Sequence, residues 1–181
     1  MLNTIAGLLS GGAGAVATDF ESIATTTVGA GGSSTVTFSS IPSTYSHLQI
    51  RLLAATSVAD RFFKIQFNSD TATNYSWHYL QGDGATASSS AGTTVAYGIN
   101  GTGPNSTTYF GAVVTDVLDY ANTNKYKTIR SLSGADMNGA GGYVQLFSSN
   151  WRSTSAVTSI TLSPSSGNFN QYSSFALYGI K

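Results

Sequence analysis

Apolar and polar side chains alternate one by one through several separate stretches of this chain, and that period confines those stretches to strands. Across residues 61–67, Phe63, Ile65 and Phe67 fall on one face while Lys64 and Gln66 fall on the other. Residues 47–55 repeat the pattern with Leu48, Ile50 and Leu52 against Gln49 and Arg51, and residues 34–40 set Val36 and Phe38 against Thr and Ser. A strand turns successive side chains to opposite faces, so a half-buried strand requires this alternation. From residue 33 onward no stretch carries a helical repeat.

Further strands are expected at 20–28, 74–80, 95–99, 110–118, 126–133, 143–151, 158–162 and 173–180. Between them lie turn-rich stretches at 82–94, 98–108, 134–142 and 163–170, dense in Gly, Ser, Asn and Asp. Short strands joined by such loops predict an all-β chain: a single antiparallel β-sandwich, jelly-roll-like. Its core is expected to include Phe38, Leu48, Ile50, Phe63, Ile65, Phe67, Val114, Ile129, Ile160, Leu162 and Phe175. Two domains of unequal kind follow. Residues 1–32 read as an extended N-terminal arm with Gly-rich hinges (11–14 and 29–32) and a first strand, and residues 33–181 as the sandwich.

The arm places Leu2, Ile5, Leu8 and Leu9 near helical spacing, in a segment too short for a stable isolated helix. An apolar terminal segment gains stability only by burying those side chains, so the four are the expected partner-binding residues. The alternative of a cleaved signal fits poorly. No Lys or Arg precedes the apolar run, and Gly11, Gly12 and Gly14 interrupt it.

Reactive groups are scarce. Glu21 is the only glutamate, His47 and His78 are the only histidines, and there is no cysteine, against 27 Ser and 23 Thr. General acid–base, thiol and transition-metal chemistry draw mostly on the missing groups, so no catalytic residue, metal ligand or cofactor is assigned. Charged residues make up 9% of the chain and cancel to a net charge of zero. Such a chain has no long-range field to steer it to nucleic acid or anionic lipid, and no run reaches the length of a membrane span. Low charge also removes a common barrier to self-association, which, with a surface rich in Tyr, Phe and Ser, points to a homo-oligomer, a homotrimer first.

Tyr75, Trp77 and Tyr79 share one face of a strand, either as a wall of the core or as an aromatic interface or glycan-stacking platform. His78 falls on the opposite face. Asp70, with Asn68 and Asn74, and Asp83 between two glycines carry oxygens of the kind Ca²⁺ takes, but at a spacing that fits turns better than a calcium loop. Asp116 and Asp119, three apart, do not form a paired-carboxylate site on a regular strand. Lys125, Lys127 and Arg130 form the only basic cluster, with Asp116, Asp119 and Asp136 available to offset it.

Residues 38–51 (FSSIPSTYSHLQIR), 67–75 (FNSDTATNY), 117–130 (VLDYANTNKYKTIR) and 172–181 (YSSFALYGIK), together with the MLNTIAG-type arm, resemble a family of small virion structural proteins of tailed bacteriophages, especially those of marine bacteria. The resemblance runs over nearly the whole chain and carries over no catalytic residue. It implies a virion component made in the bacterial host cytoplasm. Two positions in the particle follow from it. One is a capsid decoration or cement protein, often trimeric, that clamps the major capsid protein or another virion protein with its arm. The other is a tail or fibre module that touches the host surface, through glycans among other ligands. The small size, neutral charge and apolar arm favour decoration.

Overall fold

Twelve strands form and no helix does among the residues that the computed structural model describes, which are 19–60, 62–95, 97–101, 107–139 and 141–181. In chain order they are β1 (Phe20–Thr27), β2 (Val36–Phe38), β3 (His47–Ala54), β4 (Phe62–Phe67), β5 (Tyr75–Gly82), β6 (Ala87–Val95), β7 (Gly98–Gly101), β8 (Gly111–Leu118), β9 (Lys127–Asp136), β10 (Gly142–Trp151), β11 (Ile160–Pro164) and β12 (Ser174–Ile180). An eight-stranded sheet runs β1-β12-β3-β8-β9-β10-β5-β6 and a four-stranded sheet runs β2-β11-β4-β7. Every pairing is antiparallel.

The order has a simple logic. Strands β1 with β12, β2 with β11, β3 with β8, and β4 with β7 pair as nested partners, the first of each pair in one half of the chain and the second in the other. The four-stranded sheet and the β1-β12-β3-β8 part of the larger one alternate strands from the two halves, so the chain wraps around itself as a jelly roll. Two hairpins are inserted into this wrap. β5–β6 falls between β4 and β7, β9–β10 falls between β8 and β11, and both extend the larger sheet because β10 pairs with β5.

The facing sides of the two sheets enclose one core. Leu48, Ile50, Phe63, Ile65, Phe67, Ile129, Ile160, Leu162 and Phe175 are buried in it, as is Phe38. The alternation that predicts these strands thus also predicts their inward faces. Val114 departs from the expectation, being 40% exposed. Its neighbours Val113, Thr115 and Val117 point inward instead. Register decides this: Asp116 lies opposite Arg130 and pairs with it at the surface, so the even-numbered positions of β8 face out.

The domain boundary expected between residues 32 and 33 also moves. β1 pairs with β12 from Phe20↔Ile180 to Thr27↔Ser174 and is a full member of the sandwich. The stretch at 29–32 is a fastened connection and not a hinge. Gly32 donates to the Gly29 carbonyl, and Ser33 exchanges backbone hydrogen bonds of 3.0 and 2.8 Å with Phe169. The residues before 19, including the other glycine-rich stretch, lie outside the described residues.

The inward–outward assignment of β8 is testable by comparing two isosteric changes. Val117→Thr buries a hydroxyl in the apolar core and is expected to cost about 1–3 kcal/mol. Val114→Thr changes a surface position and is expected to stay within about 0.5 kcal/mol of the parent. Urea unfolding of the two variants measures both, and equal costs would reverse the assignment.

Candidate interaction surface

The outer face of the eight-stranded sheet divides into two halves of different chemistry. On β1, β12 and β3 polar and aromatic residues are tied to one another. Phe20 stacks on Tyr178 with ring centroids 4.6 Å apart, and the Arg51 guanidinium sits over both rings. Arg51 Nε donates to Gln49 Oε1 at 2.8 Å, Gln49 Nε2 donates to Asp116 Oδ1 at 2.9 Å, and Arg130 Nη2 donates to Asp116 Oδ2 at 2.8 Å. This network bonds both oxygens of Asp116 and leaves its charge paired.

Beyond it the face becomes aliphatic. Register places Val114 opposite Leu132, Leu132 opposite Leu146, and Leu146 opposite Leu80, a straight row across β8, β9, β10 and β5. The next row contains Leu53, Ala112, Gly134, Val144 and Gly82. Leu132 is 57% exposed, Leu80 55% and Val144 65%. Summed over the six large aliphatics, the bare apolar surface is on the order of 500 Å², in the upper range of the largest patch an ordinary monomer carries, a patch that is often functional. No motif pointed to this face. Its only trace in the sequence is that Leu132 and Leu146 hold the outward phase of strands whose inward phase is set by Ile129 and Phe147.

The arm residues Leu2, Ile5, Leu8 and Leu9 lie outside the described residues. The aromatic row lies on the inner face of β5. Tyr75 is wholly buried, stacked on Trp151 and against Phe67, so the core reading holds for it and it is withdrawn from any glycan platform. Burial pushes its hydroxyl pKa well up. Trp77 and Tyr79 are half-buried and stacked on each other, with Tyr79 also against Phe62 and Phe147. The Trp77 indole lies where a Cβ at position 92 would stand, which requires Gly92 on β6. Its Nε1 has no hydrogen-bond partner among the described residues. His78 is exposed on the opposite face.

The acidic side chains are occupied in holding turns and strand ends. Asp70 Oδ2 accepts from Trp151 Nε1 at 2.7 Å and Asn74 Nδ2 at 3.0 Å, and Oδ1 accepts from the Ala72 amide at 2.9 Å. Asn68 Oδ1 accepts from the Thr158 and Ser159 amides, fastening the loop before β11. Asp83 caps the β5–β6 turn through the Ala85 and Thr86 amides, and Asp136 caps the next hairpin through Asn138. Asp119 follows β8 in a left-handed turn conformation and pairs with Lys125 at 2.5 Å, which lowers its pKa. Glu21 is held below the usual carboxylate range by Lys181 and by the Tyr45 hydroxyl. No group of three or more His, Cys, Asp or Glu that would hold a metal ion occurs among the described residues.

The basic cluster splits three ways. Arg130 and Lys125 make the surface pairs just given, while Lys127 is buried with its Nζ donating to the carbonyls of Asn122, Lys125 and Thr154. Burial lowers its pKa, an effect partly offset by Asp119. Capping three carbonyls, it closes the loop between β8 and β9.

No protein-family model, curated protein or solved structure matches the chain.

Asp70 supplies a pH test. Burial by itself would raise its pKa, but the hydrogen bonds from Asn74, Trp151 and Ala72 outweigh that and lower it. A carboxylate whose pKa is lower folded than unfolded contributes stability that is present above the unfolded value, near 3.9, and is lost as pH falls through the folded value. Asp70→Asn is therefore expected to cost about 1–3 kcal/mol at neutral pH. The variant should also lose less stability than the parent between neutral pH and the acid range below about pH 4. Urea titrations at several pH values measure both effects.

Proposed function

We propose that this chain is a non-enzymatic structural protein of a bacteriophage virion, a capsid decoration or cement protein and a homo-oligomer in its assembled state. The observation that carries the reading is the aliphatic half of the outer sheet face. A freely diffusing protein exposing a contiguous apolar row on a chain this poor in charge would associate nonspecifically. A subunit with a fixed place in an assembly keeps such a face covered. The sequence resemblance to small virion proteins supports the same reading, as does the use of the acidic side chains as turn caps and ion-pair partners.

In this reading the major capsid protein, or another protein of the shell, receives the N-terminal segment through Leu2, Ile5, Leu8 and Leu9. The described sandwich starts with β1, an edge strand of the larger sheet. Each Leu or Ile buried on the shell would contribute about 1.5–3 kcal/mol before ordering costs. A full-length chain carrying Ile5→Asp and Leu8→Asp is thus expected to keep the parent's strand content and mass in solution yet lose roughly a hundredfold in affinity for undecorated particles. Sedimentation of the protein with particles measures this. Undiminished binding would move the attachment to the sandwich. A reconstruction of the intact virion tests the position itself: density for this chain on tail fibres would replace the decoration role with a host-surface module.

A further inference from the structure

We infer that the aliphatic outer face of β8, β9, β10 and β5 packs against the same face of a second copy of this chain. The inference rests on reading the chain as an assembly subunit and names the surface through which copies meet.

The first argument is an inversion of polarity. In the hairpin extension the inner row carries hydrogen-bonding side chains. Ser133 Oγ donates to Gln145 Oε1 at 3.3 Å, Gln145 Nε2 to Gln81 Oε1 at 3.0 Å, and Gln81 Nε2 to Ser88 Oγ at 3.0 Å. The adjacent row on the outer face is Val114, Leu132, Leu146 and Leu80. Strands that place Gln and Ser inside and Leu outside have their outer side built to be dry. An antiparallel sheet with one wet face shows the reverse order.

The second argument is fit to itself. The row of large side chains is flanked on one side by a depression of about 700 Å³ over Gly82, Ala112 and Gly134, and at its β5 end by one of about 480 Å³ beside His78 and Ala91. A two-fold axis parallel to the sheet, midway between two stacked copies and running between this row and the row of Ala112, Gly134, Val144 and Gly82, lays the large side chains of each copy over the smaller row of the other. The knobs of each copy then lie over low ground in the other, as interdigitated layers at the usual sheet spacing of about 10 Å require. A patch on the order of 500 Å² also suits the apolar centre of an interface that buries about 800 Å² per partner, with Ser148, His78 and Arg130 at its polar rim.

The third argument is charge. Asp116 and Arg130 border the row and already pair with each other at 2.8 Å, so the approach of a second copy strands no unpaired charge from this pair. The chain as a whole is neutral, and copies do not repel one another.

The chain has no cysteine, which makes trapping clean. Leu146→Cys in the full-length protein is expected to cross-link to a dimer with a bismaleimide spanning about 10 Å, the sheet-to-sheet distance. Thr37→Cys, exposed on the four-stranded sheet, is expected not to. Sedimentation equilibrium should return twice the chain mass, and Leu132→Lys should weaken the dimer by about tenfold or more, with an unchanged circular dichroism spectrum. A wild-type chain that stays monomeric, together with a Leu146→Cys variant that does not cross-link, overturns the inference, and so does a dimer or trimer insensitive to Leu132→Lys. A monomer whose Leu132→Lys variant loses only particle binding also overturns it and assigns the face to the shell protein. The virion reconstruction is independent. Copies that pair through this face but are missing from particles leave the pairing standing and remove the decoration role.

Discussion

Pairing between the two ends of the chain holds the wrap together. Phe20 lies opposite Ile180 and Phe38 opposite Ile160, so the first two strands are laid down on the last two. The central strands depend on this closure, because β3 is flanked by β12 on one side and β8 on the other. The close is tight as well as long-range. A Cβ at Gly179 on β12 would enter the Tyr45 ring, whose hydroxyl donates to Glu21 on β1 at 2.9 Å, while Lys181 pairs with the same carboxylate. Contacts of such sequence separation repay the entropy of loop closure only late, which places this fold among the slow folders.

The alternation of side chains made most strands and most of the core readable, because a period of two is a local property that each strand states for itself. What it does not state is which strand a residue will face. Val113 and Val114 are chemically alike, and one is buried while the other is not. The distinguishing signal was two residues on, at Asp116, whose charge needs the surface and fixes the phase of the whole strand. β6 was hidden for a different reason. Its residues are Ala, Ser, Gly and Thr up to a final Val95 and show no alternation, since β6 is an edge strand held by the backbone of β5 and by the Trp77 ring over Gly92. The adjacent β7 is short and starts at a buried glycine, so the apolar cluster at 95–99 read as a strand slightly too early.

The candidate surface was less legible than the fold, and the hairpin insertions explain why. In the nested strands most inward positions are apolar and many outward ones are polar, the rule that a sequence reader applies. In β9 and β10 the inward positions include Ser131, Ser133, Gln145 and Ser149, satisfied in part by one another and by Thr115 across the strand at 2.6 Å. The aliphatic residues of these strands are shared between both faces. A leucine facing solvent looks the same in the sequence as one facing the core, and only register, as in Val114↔Leu132↔Leu146↔Leu80, turns four scattered residues into a row.

Scarcity of charge then acquires a structural sense. The ion pairs that form are used inside single copies: Glu21 with Lys181 at the closure, Asp116 with Arg130 at the edge of the row, Asp119 with Lys125 after β8. Exposed pairs of this type add little stability. Their effect on association is larger, because each removes a free charge that would either repel a neighbour or steer it from a distance. Copies of a neutral protein meet without long-range guidance, and short-range fit decides which orientation persists. Hydrogen-bonding groups around the polar half of the face already have partners, so they gain little from a new contact. The bare aliphatic half gains the full transfer free energy of the surface it buries. Orientation in an assembly of this chain is therefore set by where the leucines lie.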